Sequence, residues 1–557
     1  MIDRIKDTIR KTIEDNFDVT DITVEEPKRG LADLAIPLFP FAKRWKKPLK
    51  AIYDSFYEHI DALADIDRIE FSNGFMNLFL ERESLSHRIL TDVVIRDHGY
   101  GSAESARDKT VVIDYSSPNI AKSFSVGHLR STVIGNALKR IYEKSGYRVI
   151  GINHLGDWGT QFGKMIVAYQ MWGSKEAIER SPIEELQALY VRFHEAAEDD
   201  PTLEEKAREA LLKLERKDPE HLELWQWFKD ESLREFMEMY DLLGVTFDAY
   251  DGESFYNDKM EAVIDELDQK HLLKIDEGAT IIDLGPDMPP ALIKRSDGGT
   301  LYMTRDLAAL LYRHRTYGFD SILYVVGNEQ RLHFKQLKAI SRLMGYDFDI
   351  EHINFGLVLI EGKKMSTRKG KNKRLKDVIN RAIAEAGKAI SSKDTELGDK
   401  DEIARAVAIG AIIFNDLKNE RHLDIDFDLE HMLRFEGQTG PYIQYSSVRI
   451  ESILCEHAID LEHMDSSYYK EDAYFAIIKQ INQFPSMIER ARRQNAPNII
   501  ARYVLSLAQS FNRFYGNQRI VVADQSHLQA NLLFIKAIQI VLNEGLRLLG
   551  IRALKEM

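Results

Sequence analysis

One segment, residues 110–142, constrains the fold of this chain more than any other. It begins with Thr110–Tyr115, an apolar and β-branched run typical of a buried strand in a parallel sheet. It ends with Leu129–Tyr142, where apolar residues recur at helical spacing. The residues between them therefore turn from a strand into a helix at the carboxyl edge of a sheet. Open α/β folds bind their ligands at that edge, so the segment predicts both a fold class and a site.

The turn carries residue types that suit a phosphate group. Gly127 lets the backbone approach a ligand closely, and His128 supplies a hydrogen-bond donor. The following helix presents free N–H groups and the positive end of its dipole, and Lys122 can add a cation. A Gly-His pair alone is weak evidence, because a histidine at the start of a helix is more often structural. The pair is therefore a candidate phosphate site that needs further support.

Length, composition and charge limit the class of protein. A chain of 557 residues is too long to fold around a single hydrophobic core, so three or more domains are expected. Cys455 is the single cysteine, which excludes an internal disulfide and a cysteine-ligated zinc site and suits a reducing compartment. No apolar run resembles a signal peptide or a membrane span. We expect a soluble, cytoplasmic protein without a membrane segment.

The net charge of −14 argues against a protein that coats nucleic acid indiscriminately. It leaves room for a specific RNA binder, because phosphate contacts need only a local basic strip. Residues Lys363 to Lys376 form such a strip, with eight basic residues and no acidic one. Most runs of this kind are solvated surface loops. This one also contains a second short motif, Lys364-Met365-Ser366-Thr367.

The pattern along the chain predicts three domains. Residues 1–107 form an α+β unit, and residues 108–376 alternate strands with helices, which indicates a Rossmann-type parallel sheet. A mostly helical, acidic insertion interrupts that sheet at about 170–290. Amphipathic helices dominate residues 377–557, which predicts an all-α domain. The fold class is therefore α/β with an N-terminal α+β domain and a C-terminal helical domain.

Several strings of this sequence resemble one family. Ser117–Lys122 followed by Val126–Thr132 resembles the His-x-Gly-His signature of class I aminoacyl-tRNA synthetases, in the form typical of the arginyl-tRNA synthetases. Leu155–Gly163 and the C-terminal Val541–Gly550 are similar to that family as well. Two positions depart from it. The first histidine of the signature is Ser125, and the last lysine of the family's Lys-Met-Ser-Lys motif is Thr367.

The resemblance implies an ATP site between two loops. In the family, an amino-acid carboxylate attacks the α-phosphate of ATP, and pyrophosphate leaves. The implied catalytic residues are Lys122, Ser125, His128, Lys364 and Arg368. The implied ATP-binding residues are Gly127, His128, Gly156, Lys364, Met365 and Ser366. Thr367 carries no charge, and the resemblance implies that Lys122 takes over the role of the missing lysine, with Arg368 as the weaker candidate. Mg²⁺ is expected to accompany the nucleotide.

Side chains at the predicted sheet edge suit arginine as the amino acid. A guanidinium is a planar fork of donors that carboxylates and a carbonyl hold best. Asp114 ends the first strand, Tyr302 and Asp306 share one face of a helix, and Gln330 ends a later strand. The resemblance implies that these residues bind arginine and that Asn119 holds its α-amino or carboxylate end.

The resemblance also implies contacts with tRNA. The positions that match the family's tRNA-binding residues are Asn77, Tyr442, Tyr445, Tyr515 and Met557. Exposed tyrosines on a helical domain can stack on unpaired bases. Two structural alternatives stay open at this stage, namely that Asn77 caps a turn and that the tyrosines are core aromatics.

The resemblance, together with these residues, predicts an arginine–tRNA ligase. It implies ATP, L-arginine and tRNA(Arg) as substrates and activation of arginine that depends on bound tRNA, and we expect a monomer. One alternative is another nucleotidyltransferase of the same fold, against which the helical C-terminal half with its Tyr-x-x-Tyr string argues. The other is a non-enzymatic tRNA-binding paralogue, in which Ser125 and Thr367 mark lost catalysis.

Overall fold

The computed structural model describes residues 1–27, 32–296, 302–360, 362–364, 374–391 and 398–557. The chain forms two compact units. The first comprises residues 1–101, 446–487 and 503–544, and the second comprises residues 102–445, 488–502 and 545–557. None of the described helices is both long enough and apolar enough to cross a lipid bilayer.

The N-terminal part of the first unit is an α+β structure. Its elements are α1 (Ile2–Asn16), β1 (Leu34–Pro37), α2 (Phe39–Trp45), α3 (Leu49–Ile60), β2 (Ile66–Ser72), β3 (Phe75–Leu80) and α4 (Arg82–Arg96). The strands form an antiparallel sheet in the order β1-β3-β2. Along β3, buried residues alternate with half-buried ones, so one face of the sheet covers a core. Asn77 lies on the other face in mid-strand, so it does not cap a turn.

The second unit contains the parallel sheet and the inserted segment. Its elements up to residue 352 are β4 (Thr110–Asp114), α5 (Val126–Lys144), β5 (Arg148–Ile152), α6 (Thr160–Trp172), α7 (Lys175–Arg180), α8 (Pro182–Asp199), α9 (Thr202–Glu215), α10 (Pro219–Leu243), α11 (Met260–Gln269), β6 (Leu273–Asp276), β7 (Ala279–Ile282), β8 (Ala291–Lys294), α12 (Tyr302–Tyr317), β9 (Ser321–Tyr324), α13 (Arg331–Leu343) and β10 (Asp349–His352). The predicted strand, turn and helix at 110–142 are thus confirmed.

The parallel sheet determines where a ligand can bind. Its strands lie in the order β10-β9-β4-β5, and all neighbours are parallel. The chain runs from β4 to β5 on one side and later returns to β9 on the other side of β4. The strand order therefore reverses at β4, which creates a crevice at its carboxyl end. Asp114, the last residue of β4, lies opposite Ile152 of β5 and Tyr324 of β9.

Some strands differ from the sequence prediction. The fourth strand of the parallel sheet is β10, whereas the apolar run predicted as a strand at 354–360 is β11 (Val358–Ile360) in another sheet. There it pairs with β12 (Lys363–Lys364) and β13 (Ile425–Asp426). The edge strand β10 escaped the sequence analysis because it buries only Ile350 and otherwise presents polar residues. The antiparallel sheet β6-β7-β8 within the mostly helical insertion was not predicted either.

The remaining described elements are helical, as predicted. They are α14 (Leu375–Ser391), α15 (Lys400–Leu417), α16 (Leu429–Met432), α17 (Gly440–Leu454), α18 (Asp472–Arg493), α19 (Asn498–Asn517) and α20 (Gln525–Leu548). The fold class inferred from the sequence, a Rossmann-type parallel sheet with an α+β N-terminal part and a helical C-terminal part, is confirmed.

Candidate active site

The turn that follows β4 has an unusual backbone. Ser116, Ser117 and Ala121 adopt φ angles of 72°, 48° and 59°, in the left-handed region that side chains other than glycine rarely occupy. Each such residue costs on the order of 1–3 kcal/mol and persists only where its surroundings hold it. We call residues 116–125 the signature turn. It carries Asn119 and Lys122 at the carboxyl edge of the sheet.

Hydrogen bonds from neighbouring elements hold the signature turn. The amide of Ser116 donates to Ser131 Oγ on α5 at 2.9 Å, and Ser131 Oγ donates to the carbonyl of Val325 beyond β9 at 2.7 Å. The amide of Ser117 donates to Asn153 Oδ1 beyond β5 at 3.2 Å. The turn, which itself follows β4, is thereby attached to the segments that follow β9 and β5, so it is held at the ends of three of the four strands.

His128 is held as a neutral donor. The amide of Ser125 donates to its Nδ1 at 3.1 Å, so the ring proton lies on Nε2. Burial of the imidazole, together with the positive charge of Lys122, lowers the pKa of His128 to about 4. At neutral pH the ring therefore offers an Nε2–H group. Lys122 and Gly127 are both exposed beside it, as a phosphate site requires.

Gly156 lies against Asn119. The amide of Gly156 donates to the carbonyl of Pro118 at 3.1 Å, and the amide of Ile120 donates to the carbonyl of Gly156 at 3.2 Å. A Cβ atom at Gly156 would lie 2.0 Å from Asn119 Oδ1. Only glycine therefore leaves room for the Asn119 side chain. This geometry connects Gly156 to the residue expected to hold arginine, whereas the sequence analysis assigned Gly156 to ATP.

Asp114 already has a partner within the chain. Its Oδ2 lies 2.8 Å from Arg313 Nη1, and its Oδ1 accepts a hydrogen bond from Ser117 Oγ at 3.0 Å. The two charged side chains are almost inaccessible, at 7% and 1% exposure. Arg313 therefore neutralises the charge that the sequence analysis offered to a substrate guanidinium. Arg313 was missed, although it follows Asp306 by seven residues and so shares a face of α12.

Asp306 is the accessible acid of the predicted arginine site, with its side chain 26% exposed. His333 Nε2 lies 2.5 Å from its Oδ2. Burial alone would raise the pKa of Asp306, but the hydrogen bond from His333 and nearby positive charges outweigh it and lower that pKa. Asp306 is therefore ionised at neutral pH. His333 had no role in the sequence analysis.

The other two residues predicted to bind arginine are exposed. Tyr302 lies one turn before Asp306 at the start of α12 and is 69% exposed. Gln330 ends a short 3₁₀ turn, Asn328–Gln330, that follows β9. Both belong to segments at the carboxyl edge of the sheet, but Gln330 does not end a strand as predicted, because β9 ends at Tyr324.

The second predicted phosphate loop is described only at its ends. Met365, Ser366 and Arg368 lie outside the described residues, and Lys364 is the last residue of β12. At the other end, the amide of Leu375 donates to the carbonyl of Phe124 at 2.9 Å, and Arg374 forms an antiparallel bridge with Ser125. The C-terminal end of the basic strip is thus bonded to the signature turn.

The residues predicted to bind tRNA occupy both units. In the first unit, Asn77 is half-buried, and Tyr515 is 39% exposed with the guanidinium of Arg449 4.8 Å above its ring. In the second unit, Tyr442 and Tyr445 are half-buried one turn apart at the start of α17, and Met557 is half-buried. The three tyrosines are therefore not core aromatics.

The described residues do not provide a protein site for a metal ion. No three or more of their His, Cys, Asp and Glu side chains are grouped so as to hold one.

Comparison with known proteins places the chain in a family. Residues 89–429 match the family model of the class I tRNA synthetase (R) catalytic domain. Residues 1–80 match the arginyl-tRNA synthetase N-terminal domain, and residues 443–557 match the DALR anticodon-binding domain. The arginine–tRNA ligase of Exiguobacterium sibiricum is 50% identical over 538 residues, which cover 96% of this chain and 95% of that protein.

The chain belongs to the arginyl-tRNA synthetases. The corresponding ligase of Pediococcus pentosaceus is 47% identical, over 96% of this chain and 95% of its own. Among solved structures, Plasmodium falciparum arginyl-tRNA synthetase matches with a TM-score of 0.80 at 24% identity, over 100% of this chain and 99% of its own. This match supports the fold. The enzyme therefore joins arginine to tRNA(Arg) with ATP, and the two alternative functions left open by the sequence are set aside.

Proposed function

We propose that the signature turn and helix α5 of this arginyl-tRNA synthetase bind the phosphates of ATP during the activation of arginine. The observation that carries the proposal is the exposed Lys122 beside the neutral, Nε2-protonated His128. Both lie at the point where the strand order of the sheet reverses. Such crevices bind nucleotides in open α/β folds, and helix N-termini attract anions.

The chemistry asks for positioning and charge stabilisation. The carboxylate of arginine attacks the α-phosphorus of ATP, the bond to the bridging oxygen breaks, and pyrophosphate leaves. Negative charge then accumulates on phosphoryl oxygens, where a cation and N–H donors lower the barrier most. We assign the cation to Lys122 and one donor to His128. Gly127 leaves room for the phosphates.

Ser125 has a supporting role in this proposal. Its amide donates to His128 Nδ1, and its Oγ lies 3.2 Å from the same atom. Ser125, which stands in place of the first histidine of the family signature, thus fixes the ring of the second histidine, His128. Lys364, Met365, Ser366 and Arg368 remain candidates for the other side of the triphosphate on the basis of the sequence resemblance.

For arginine, we propose that Asp306 holds the guanidinium. It is an ionised carboxylate that stays accessible, whereas Asp114 is buried against Arg313. Tyr302 and Gln330 would contact the same side chain, and Asn119, supported by Gly156, would hold the α-amino or carboxylate end. Asp114 then contributes by keeping Arg313 neutralised beneath the site. A buried arginine without a counter-ion would repel a cationic substrate.

The proposal extends to partners and compartment. Asn77, Tyr442, Tyr445, Tyr515 and Met557 are assigned to tRNA, and we propose that arginine is activated only when tRNA is bound. Mg²⁺ is proposed to enter with the phosphates of ATP, since this ion is commonly held by substrate phosphates. We further propose a monomer that works in the cytoplasm, with domains at 1–107, 108–376 and 377–557.

Asp306→Ala tests the arginine site. We expect the KM for arginine to rise at least tenfold, with the KM for ATP unchanged, in tRNA-dependent ATP–pyrophosphate exchange. Asp265→Ala, which removes an exposed carboxylate on α11, is the control and should behave as wild type. An unchanged KM for arginine in Asp306→Ala would refute the assignment.

A further inference from the structure

One face of helix α10 is buried beneath the active site. Its residues Trp225, Lys229, Ser232, Phe236 and Tyr240 follow one another at spacings of four, three, four and four, so they form a single stripe along the helix. Ser232, Phe236 and Tyr240 are fully buried, and Trp225 nearly so. We call these five residues the α10 stripe. The helix lies in the insertion, to which neither the sequence nor the family comparison assigns a role.

The α10 stripe contacts the signature turn at its strained residues. Tyr240 Oη lies 2.8 Å from Ser116 Oγ, and Ser232 Oγ accepts a hydrogen bond from the amide of Ala121 at 3.2 Å. Ser116 and Ala121 are both left-handed residues, near the beginning and in the middle of the turn. Hydroxyl groups of α10 therefore hold the turn at two points, through the side chain of Ser116 and through the backbone of Ala121.

Aromatic packing joins these two hydrogen bonds. The ring of Phe124, in the signature turn, contacts the rings of Phe236 and Tyr240 edge-on, each at a centroid distance of 5.7 Å. Phe124 is also the residue whose carbonyl accepts from Leu375 at the end of the basic strip. The stripe thus supports the turn along the length that carries Asn119 and Lys122.

The same stripe contacts the loop between β5 and α6, residues 153–159, which we call the second loop and which is distinct from the basic strip at 363–376. Trp225 Nε1 donates to the carbonyl of Asp157 at 2.8 Å, and Lys229 Nζ lies 2.6 Å from Asp157 Oδ2. Asp157 is fully buried, so Lys229 is needed to balance its charge. Asp157 directly follows Gly156, the residue that lies against Asn119. One helix therefore holds both loops that meet at Asn119.

Tyr240 connects the two loops most directly. Its hydroxyl accepts a hydrogen bond from Asn153 Nδ2 at 2.9 Å and also bonds Ser116 Oγ. Asn153 Oδ1 in turn accepts from the amide of Ser117. A single hydroxyl thus closes a ring of hydrogen bonds through two consecutive left-handed residues. Burial raises the pKa of Tyr240, so the hydroxyl stays protonated and able to donate.

We propose that the α10 stripe positions the signature turn and the second loop for the activation of arginine, with Tyr240 as its principal positioning residue. Tyr240 touches no substrate in this account. It acts through Ser116 and Asn153 on the part of the turn that carries Asn119 and Lys122. The inference therefore rests on the proposed function, in which the signature turn takes part in the activation of arginine.

Tyr240→Phe tests the inference, because phenylalanine keeps the ring and removes only the hydroxyl. We expect the kcat per titrated active site to fall about tenfold and the KM for arginine to rise in tRNA-dependent ATP–pyrophosphate exchange. The dissociation constant for tRNA should not change. Tyr142→Phe is the matched control. It also removes a buried hydroxyl, which donates to Asn495 Oδ1 at a distance of 2.9 Å, and it does so away from the signature turn.

Active-site titration keeps the test independent of folding, because unfolded molecules are not counted. If the Tyr240 hydroxyl had a purely structural role, Tyr240→Phe would behave like Tyr142→Phe. Its melting temperature would fall, but its kinetic constants per active site would equal those of wild type. That result would overturn the inference.

A double-mutant cycle provides the second test. If Tyr240 acts through Ser116, the combined variant Ser116→Ala/Tyr240→Phe should lose little more kcat/KM than the more impaired single variant. If the double variant instead loses kcat/KM by the product of the two single losses, the two residues act independently. That result would refute the action of Tyr240 through Ser116.

Asn119→Ala and Lys122→Ala, measured alongside, separate this inference from the proposed function. If those two variants behave as wild type while Tyr240→Phe is impaired as expected, the roles proposed for Asn119 and Lys122 fail and the positioning role of Tyr240 stands. If the Asn119 and Lys122 variants are impaired while Tyr240→Phe is not, the positioning role fails alone.

Discussion

Gly156→Ala is the smallest change that separates the two possible roles of the second loop. The added methyl carbon would lie 2.0 Å from Asn119 Oδ1, 2.9 Å from its Cγ and 3.3 Å from its Cα. No side chain tolerates the first of these distances, so the Asn119 amide must rotate away. The backbone of Gly156 itself is outside the left-handed region, so alanine can adopt it. Gly156→Ala should therefore displace the Asn119 side chain without straining the backbone of residue 156.

The expected loss follows from one hydrogen bond to a charged group of the substrate. Such a bond contributes about 1.5–3 kcal/mol. Since about 1.4 kcal/mol corresponds to a factor of ten, the KM for arginine should rise at least about tenfold. The KM for ATP should remain within about a factor of two. Both constants can be measured by ATP–pyrophosphate exchange in the presence of tRNA, with one substrate varied at a time.

Gly99→Ala serves as the control, because a Cβ atom there meets nothing within 4 Å. It should leave both constants at wild-type values. If Gly156→Ala instead raises the KM for ATP and leaves the KM for arginine unchanged, Gly156 contacts the nucleotide and the support of Asn119 is refuted.

Three further outcomes can be measured. Lys122→Ala should lower kcat far more than it raises the KM for ATP, because its charge acts in the transition state, and equal effects on both constants would refute that role. Because the folded-state pKa of His128 is depressed to about 4 from an ordinary value near 6.5, the free energy of unfolding should fall as the pH drops from about 6.5 toward 4. In denaturant titrations, His128→Asn should show a smaller loss over that window, and an identical loss would contradict the assignment. Arg130→Met should lower the free energy of unfolding by about 3–5 kcal/mol in the same titrations. The reason is that the buried Asp416, whose carboxylate lies 3.1 Å from Arg130 Nε, loses its counter-ion. A decrease below about 1 kcal/mol would contradict this reasoning.

The strand, turn and helix at 110–142 could be predicted because their signals are local. A β-branched apolar run, a turn and an apolar period of 3.6 specify each element without reference to distant residues. The position of Gln330 at the carboxyl edge also followed, since parallel strands bring their carboxyl ends together.

Contacts between distant segments could not be predicted in the same way. Nothing local to Asp114 indicates that Arg313, 199 residues later in the sequence, neutralises it. The stripe on α10 has a helical period, but that period specifies only a buried face and not what covers it. The edge strand β10 escaped because an edge position needs few apolar residues.

Arginine-dependent ATP–pyrophosphate exchange, measured with and without tRNA(Arg) and with lysine as the competing amino acid, tests the central claim most directly. We expect exchange with arginine only when tRNA is present, and none with lysine under either condition. Exchange of equal rate without tRNA would contradict the proposed tRNA dependence. Exchange supported by lysine would contradict an arginine site built around Asp306.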